Sequence, residues 1–119
     1  MDVRREPEHT LLRLYRGEEL VSTVQGWAAE EAFGHARVTG IGALADLTLG
    51  YFDVGDRDYR RRRLEGSWEL LALSGNLARV DDAPFLHAHV LVGGPEMEVR
   101  GGHLFSGTVS VTAELFVVP

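Results

Sequence analysis

The strongest constraint on the fold is a change in the period of the apolar residues. Between Glu18 and Phe33 they recur at helical spacing, whereas from Ala36 to Val118 they mostly alternate with polar residues. Apolar residues three and four apart line one side of a helix, and every second residue lines one face of a strand. The pattern therefore predicts one helix over 18–33 and a long β-rich part after it.

Clusters of Gly, Asn, Asp and Pro divide the alternating part into strands. We predict an α+β fold in a compact single domain, with one main helix and about seven mostly antiparallel strands. Residues 1–9 are predicted to be a flexible N-terminal segment, and 10–119 to be the domain. The strands are predicted at Thr10–Arg16, Ala36–Gly40, Leu44–Asp53, Tyr59–Glu65, Trp68–Asn76, Phe85–Val92 and Val99–Val118. In the last strand, one apolar face is predicted from Val109, Val111, Ala113, Leu115 and Val117.

Composition excludes several kinds of site. The 119 residues contain no cysteine, which excludes disulfides, thiolate zinc sites and cysteine nucleophiles and favours a cytoplasmic location. No apolar run has the roughly 20 residues of a membrane span, and the charged start of the chain does not indicate secretion. The net charge of −6 weighs against non-specific DNA binding, which depends on neutralising phosphates.

Three histidines form the one chemically suggestive group in the sequence. His87 and His89 are two apart in a predicted strand, so their side chains lie on the same face. The residues of the opposite face are all apolar, which makes that face the natural core side and turns both histidines outward. The opposite face contains Leu86, Ala88, Val90 and Val92.

His103 can join this pair through a hairpin. If the chain turns near Pro95 and Glu96, an even register places His103 opposite His87 or His89. Directly opposed side chains have Cβ atoms roughly 4.5–5.5 Å apart, close enough for one ion with imidazole ligands. Three imidazoles suit a catalytic type of zinc or related metal site, but the spacing alone also fits a polar patch without metal.

Five sequence strings in order give a resemblance to a known family. Together the strings resemble the plants-and-prokaryotes conserved (PPC) domain, over nearly the whole chain from about Leu11 to Val118. The strings are GIGAL at 40–44, LGYFD at 49–53, WELLALSGN at 68–76, LHAHV at 86–90 and GGHL at 101–104.

The resemblance implies a homotrimer and a divalent metal, commonly zinc, held by His87, His89 and His103. It also implies a description as a DNA-binding protein, because the plant members carry AT-hook motifs that bind DNA. This chain has no AT-hook, which together with its negative charge makes direct DNA binding the less favoured expectation. At the fold level the domain is similar to acetolactate decarboxylase, a zinc enzyme with three histidines.

Other charged residues are secondary candidates. Glu69 and Glu114 are candidates for a carboxylate that orients a histidine, acts as a general base near a metal-bound water or belongs to an anion-binding site. A salt bridge to one of the arginines is the alternative. The run Arg60–Arg63 alternates between two faces of a strand, so it is typical of a solvated hairpin, with an anion or nucleic-acid contact as the alternative.

Two functions stay open from the sequence. The first is a metal-binding trimeric domain protein with a regulatory role associated with DNA. The second is a small metal-dependent enzyme, a lyase or hydrolase, acting on a small anionic substrate. A membrane role is not expected.

Overall fold

Long antiparallel strands make up most of the molecule. A computed structural model describes residues 1–119. It contains six strands and one helix. In chain order these are β1 (Asp2–Arg5), β2 (Thr10–Tyr15), α1 (Leu20–Ala28), β3 (Ala36–Asp53), β4 (Asp58–Val80), β5 (Ala83–Gly93) and β6 (Val99–Val118).

The six strands form one sheet that closes on itself. Its order is β1-β2-β6-β3-β4-β5, and β5 also pairs with β6, so that β6, β3, β4 and β5 make a closed ring. Every pairing is antiparallel, as the alternating pattern predicted. The inner face encloses a core of 23 buried apolar residues. Helix α1 adds Leu20, Val24 and Ala28 to that core.

Two strands are longer than the sequence predicted. The segments 36–40 and 44–53 join into β3, and the segments 59–65 and 68–76 join into β4. The register between them shifts between Gly40 and Gly42 and again between Ala45 and Leu47. Such bulges bend a strand without ending it. The glycines that suggested breaks are therefore bends, and the predicted seven strands become five, to which the structure adds β1.

The N-terminal segment contains one of the six strands. Asp2–Arg5 pairs with β2, with Val3 opposite Leu12. The amino group of Met1 also lies 3.2 Å from the carboxylate of Glu18. Residues for which the sequence predicted flexibility thus form an edge strand of the sheet.

Helix α1 is shorter than predicted at both ends. The carboxylate of Glu19 accepts hydrogen bonds from the amides of Val21 and Ser22, so the helix begins at Leu20. At the other end the amide of Glu30 bonds to the carbonyl of Trp27, three residues back. This tighter pattern ends an α-helix before Gly34, where the sequence predicted its end. No helix of this chain has the length and apolar character needed to cross a membrane.

One residue of the predicted apolar face of β6 turns outward. Val109, Ala113, Leu115 and Val117 are buried, but Val111 is 70% exposed. The register between β3 and β6 shifts here, since Gly42 pairs with Ala113 while Leu44 pairs with Val109. The extra residues on β6 form a bulge, and this bulge breaks the alternation at Val111.

Candidate metal centre

Strand pairing brings the three histidines together. His89 of β5 lies directly opposite His103 of β6, in the even register that the sequence allowed. On its other side His89 pairs with Ser74 of β4, and His87 pairs with Asn76. The site therefore lies on the outer face of three neighbouring strands.

The apolar side of β5 fixes the direction of the histidines. Leu86, Ala88 and Val90 are buried in the core, as predicted. Because neighbouring residues of a strand point to opposite faces, burying these three turns His87 and His89 outward. Both histidines are exposed in the structure. A shift of one residue in the register of β5 would turn both histidines into the core. The packing of the core therefore determines that they point outward.

The three imidazole rings lie close to one another. Ring centroids are 5.3 Å apart for His87 and His89, 5.2 Å for His87 and His103, and 5.8 Å for His89 and His103. One nitrogen from each ring lies within 4.8 Å of the others. Ligand nitrogens around a tetrahedral ion, at ~2.0–2.1 Å from the metal, are roughly 3.4 Å apart. Small ring rotations would close that difference.

His103 is the most constrained of the three. Its ring packs against Tyr59 at 4.9 Å and against Phe105 at 4.7 Å, centroid to centroid. Burial lowers the pKa of His103 below its usual value, and the nearby His87 and His89 lower it further. The imidazole is therefore neutral at pH 7, which is the form that coordinates a metal. Its Nδ1 is buried and has no hydrogen-bond partner in the protein.

These residues fit a divalent metal ion. Three imidazoles on one face are a ligand set that zinc and related transition metals accept. The buried nitrogen of His103 without a partner is a further argument, since buried polar atoms are ordinarily paired. A metal bound by three imidazoles would keep at least one coordination position free for water or a substrate.

The cleft has a volume of about 580 Å³, within the usual size of small-molecule sites. His89 and His103 form part of its wall, together with Tyr51, Phe52 and Tyr59 from the β3–β4 hairpin. A smaller depression of about 140 Å³ is lined by His87 and the polar residues Ser74 and Asn76. Ser74 and His89 belong to both walls, so the depression adjoins the cleft.

The two carboxylate candidates lie elsewhere. Glu69 pairs with Gly93, four positions along β5 from His89, or about 13 Å at the usual rise of a strand. Glu114 pairs with Ile41 and Arg13, at the far end of β6 from His103. Neither has a hydrogen bond to an imidazole. The structure brings together the three histidines but not the two glutamates.

Residues that the sequence did not single out complete the surroundings. Asn76, the last residue of a predicted strand, lies inside the longer β4 and pairs with His87. Tyr59 and Phe105 reach His103 because Gly50 lies between them: a Cβ on Gly50 would be 2.3 Å from the ring of Phe105. Asn76 could have been found from the register between β4 and β5, which places it opposite His87. The aromatic contacts depend on the closure of the sheet, which leaves no local signal in the sequence.

The protein is therefore of a β-rich class, in which an antiparallel sheet closes on itself, one short helix packs on it and three histidines cluster on its outer face. Comparison with known families then identifies it: the model of the Plants and Prokaryotes Conserved (PCC) domain matches residues 1–119. The chain belongs to that family, which is also written PPC, as its sequence strings predicted. A search of the curated proteins finds no match to this chain.

Solved structures agree with this assignment. A plant- and prokaryote-conserved protein of Pyrococcus horikoshii is 38% identical, with a TM-score of 0.88 over 98% of this chain and 78% of that one. A metal-containing protein of Archaeoglobus fulgidus is also 38% identical, with a TM-score of 0.87 over 99% and 81%. A candidate DNA-binding protein of Ralstonia eutropha is 26% identical, with a TM-score of 0.91 over 98% and 81%.

Proposed function

We propose that this protein binds one divalent metal ion, zinc, through His87, His89 and His103. The observation that carries the proposal is the position of three ring nitrogens within 4.8 Å of one another on one outer face. The name of the metal-containing relative from Archaeoglobus fulgidus supports it. Zinc is favoured among the metals because three imidazoles and a free position make a common zinc site.

Metal analysis of the purified protein tests this proposal. The wild type, grown with zinc, should hold about one zinc ion per chain, and His89→Ala should hold less than about a tenth of that, because two imidazoles bind far more weakly. His35→Ala is the matched control, since His35 is exposed and lies outside the cluster. Equal zinc in the wild type and His89→Ala would refute the ligand set.

We propose further that the protein acts as a homotrimer. Large apolar side chains are exposed on the outside of β4, β5 and β6, where Leu71 is 47% exposed, Leu91 50% and Val99 57%. They form one patch: Leu71 lies over Gly93, which pairs with Val99, and Leu91 follows along β5. Contiguous apolar surface of this kind is typical of subunit interfaces.

A regulatory role associated with DNA is the function we propose for the metal-binding trimer. The support is the relative from Ralstonia eutropha, which is described as a candidate DNA-binding protein. A fluorescence titration of duplex DNA at two salt concentrations tests it. Binding should be saturable at micromolar protein and should weaken as salt rises, because counterions are released from the phosphates. Absence of binding at low salt would contradict the role.

A second candidate function is that of a metal-dependent lyase or hydrolase acting on a small anion. The specific support is the cleft of about 580 Å³ beside His89 and His103, which has the size of a substrate site. The metal would supply Lewis-acid chemistry when bound. The residues of the chain would orient the substrate and exclude water from it.

A further inference from the structure

A second cleft adjoins the histidine cleft. The pairing of β3 with β6 ends at Gly50 and His103, and beyond this pair the β3–β4 and β5–β6 hairpins separate. The second cleft lies in this fork, with a volume of about 290 Å³. Both clefts share Gly50, Tyr51 and Gly101 in their walls, so they lie side by side.

The second cleft is strongly positive. Four arginines contribute to its wall. Of these, Arg60 forms a salt bridge with Asp53, whereas Arg61, Arg62 and Arg100 have no carboxylate within 4.0 Å. The chain has 18 acidic residues, and none of them lines either cleft. In a protein of net charge −6, this is a local concentration of unpaired positive charge.

Arg61 connects the positive cleft with the histidines. Its guanidinium carbon lies 3.8 Å from the centroid of the Phe105 ring, and that ring lies 4.7 Å from the ring of His103. Stacking on an aromatic ring uses the face of a guanidinium and leaves its N–H groups free for bidentate contact with an oxyanion. Arg63, on the same face of β4, is by contrast paired with Asp46.

We propose that this second cleft, which we call the arginine cleft, binds the anionic end of a small organic molecule. The other end of that molecule reaches the histidines. Arg62 leaves the opposite face of β4 from Arg61 and adds positive charge to the wall. The ligand carries a carboxylate or phosphate group, held by Arg61 and Arg100, and an oxygen atom directed at the metal. Only this second contact rests on the proposed metal site. The arginines therefore select small oxyanions for the cleft that His89 and His103 line.

The size of the cleft favours a small molecule over a polynucleotide. A fork between two hairpins encloses a single oxyanion group, whereas duplex DNA requires a wide positive surface that meets phosphates on both sides of a groove.

Titrations of the full chain with inorganic phosphate and with succinate, at constant ionic strength, test the proposal. Calorimetry should show saturable binding of at least one of the two, and the tighter one identifies the preferred group. Arg61→Gln and Arg100→Gln should each weaken that binding at least about tenfold, because each removes a charge-assisted hydrogen bond. Arg16→Gln, at an exposed position outside both clefts, should leave it unchanged.

Three results would overturn the proposal. One is no saturable binding of either anion. Another is an equal loss in Arg16→Gln, which would make the effect one of net charge. The third is a loss of duplex DNA binding in Arg61→Gln without any small-anion binding, which would make the fork a nucleic-acid surface.

The outcome is separable from that of the metal site. Arg61→Gln should keep the zinc content of the wild type, and chelator-treated wild type should still bind the anion, though more weakly than the zinc form. If His89→Ala keeps its zinc while Arg61→Gln loses the anion, the metal proposal is wrong and the anion cleft stands. If His89→Ala loses its zinc while Arg61→Gln still binds the anion as the wild type does, the metal proposal stands and only the anion site is wrong.

Discussion

At the scale of single residues, the site depends on side chains that differ in how far the sequence reveals them. His87 and His89 share a face because they are two apart in a strand, and this was predicted. His103 opposes His89 in a register that the sequence narrowed to two choices, and the structure selects one. Tyr59 and Phe105, which hold the ring of His103, come from distant parts of the chain and could not be predicted.

The glycine beside the histidines provides a test at this scale. A Cβ on Gly75 would lie 2.1 Å from the carbonyl oxygen of His87 and 2.8 Å from the Cα of Ala88. Gly75→Ala should therefore lower the free energy of unfolding by about 1–3 kcal/mol in urea denaturation, because two backbones must move apart. Gly26→Ala is the matched control.

The control should change stability in the opposite direction. Gly26 is inside helix α1 and a Cβ there meets nothing within 4 Å. Gly26→Ala should raise the free energy of unfolding by about 0.5–1 kcal/mol, since alanine has the higher helix propensity. If Gly75→Ala proves as stable as the wild type, the close approach of β4 and β5 is wrong.

At the scale of elements, the sequence predicted type and order better than length. The predicted helix and strands lie where periodicity placed them, but β1 was not predicted and bulges join four predicted strands into β3 and β4. A glycine in a strand pattern is equally consistent with a break and with a bulge. Which of them forms depends on whether a neighbouring strand continues the hydrogen bonding, and this is not a local property.

The start of helix α1 offers a prediction at this scale. The carboxylate of Glu19 accepts from the amides of Val21 at 3.0 Å, Ser22 at 2.8 Å and Gly107 at 3.0 Å, so it ties the helix to β6. Glu19→Ala should lower the free energy of unfolding by about 1–2 kcal/mol, measured by chemical denaturation.

Two further variants show whether the carboxylate oxygens of Glu19 are responsible for this stabilisation. Glu19→Gln keeps an acceptor oxygen and should recover much of the loss. Glu30→Ala, at an exposed carboxylate that forms no hydrogen bond or salt bridge, should stay within about 0.5 kcal/mol of the wild type. A Glu19→Gln variant as unstable as Glu19→Ala would speak against the cap.

At the scale of the whole molecule, closure of the sheet creates the clefts. β5 pairs with β4 on one side and with β6 on the other, and the two hairpins separate beyond Gly50 and His103. The histidine cleft and the arginine cleft both lie in that fork. The order of the strands in the ring therefore decides which side chains line them.

The proposed trimer is tested by the mass in solution. Light scattering should give three times the 13.1 kDa of one chain. Leu71→Glu should dissociate the trimer, because burying an unpaired carboxylate in an interface is costly. Val54→Glu, in the β3–β4 turn where Val54 is 78% exposed, should not. A wild-type monomer would contradict the trimer, and a trimeric Leu71→Glu would exclude this patch as its interface.

The sequence by itself determined the class of fold, the outward direction of His87 and His89 and the family, because side-chain alternation and turn residues act over a few neighbouring positions. Only the tertiary structure decided that four of the six strands close into a ring, that Glu69 and Glu114 lie away from the histidines, and that Arg61 reaches toward His103 across Phe105. These features depend on pairings between segments far apart in the chain, and strand register across such distances is set by how the whole core packs.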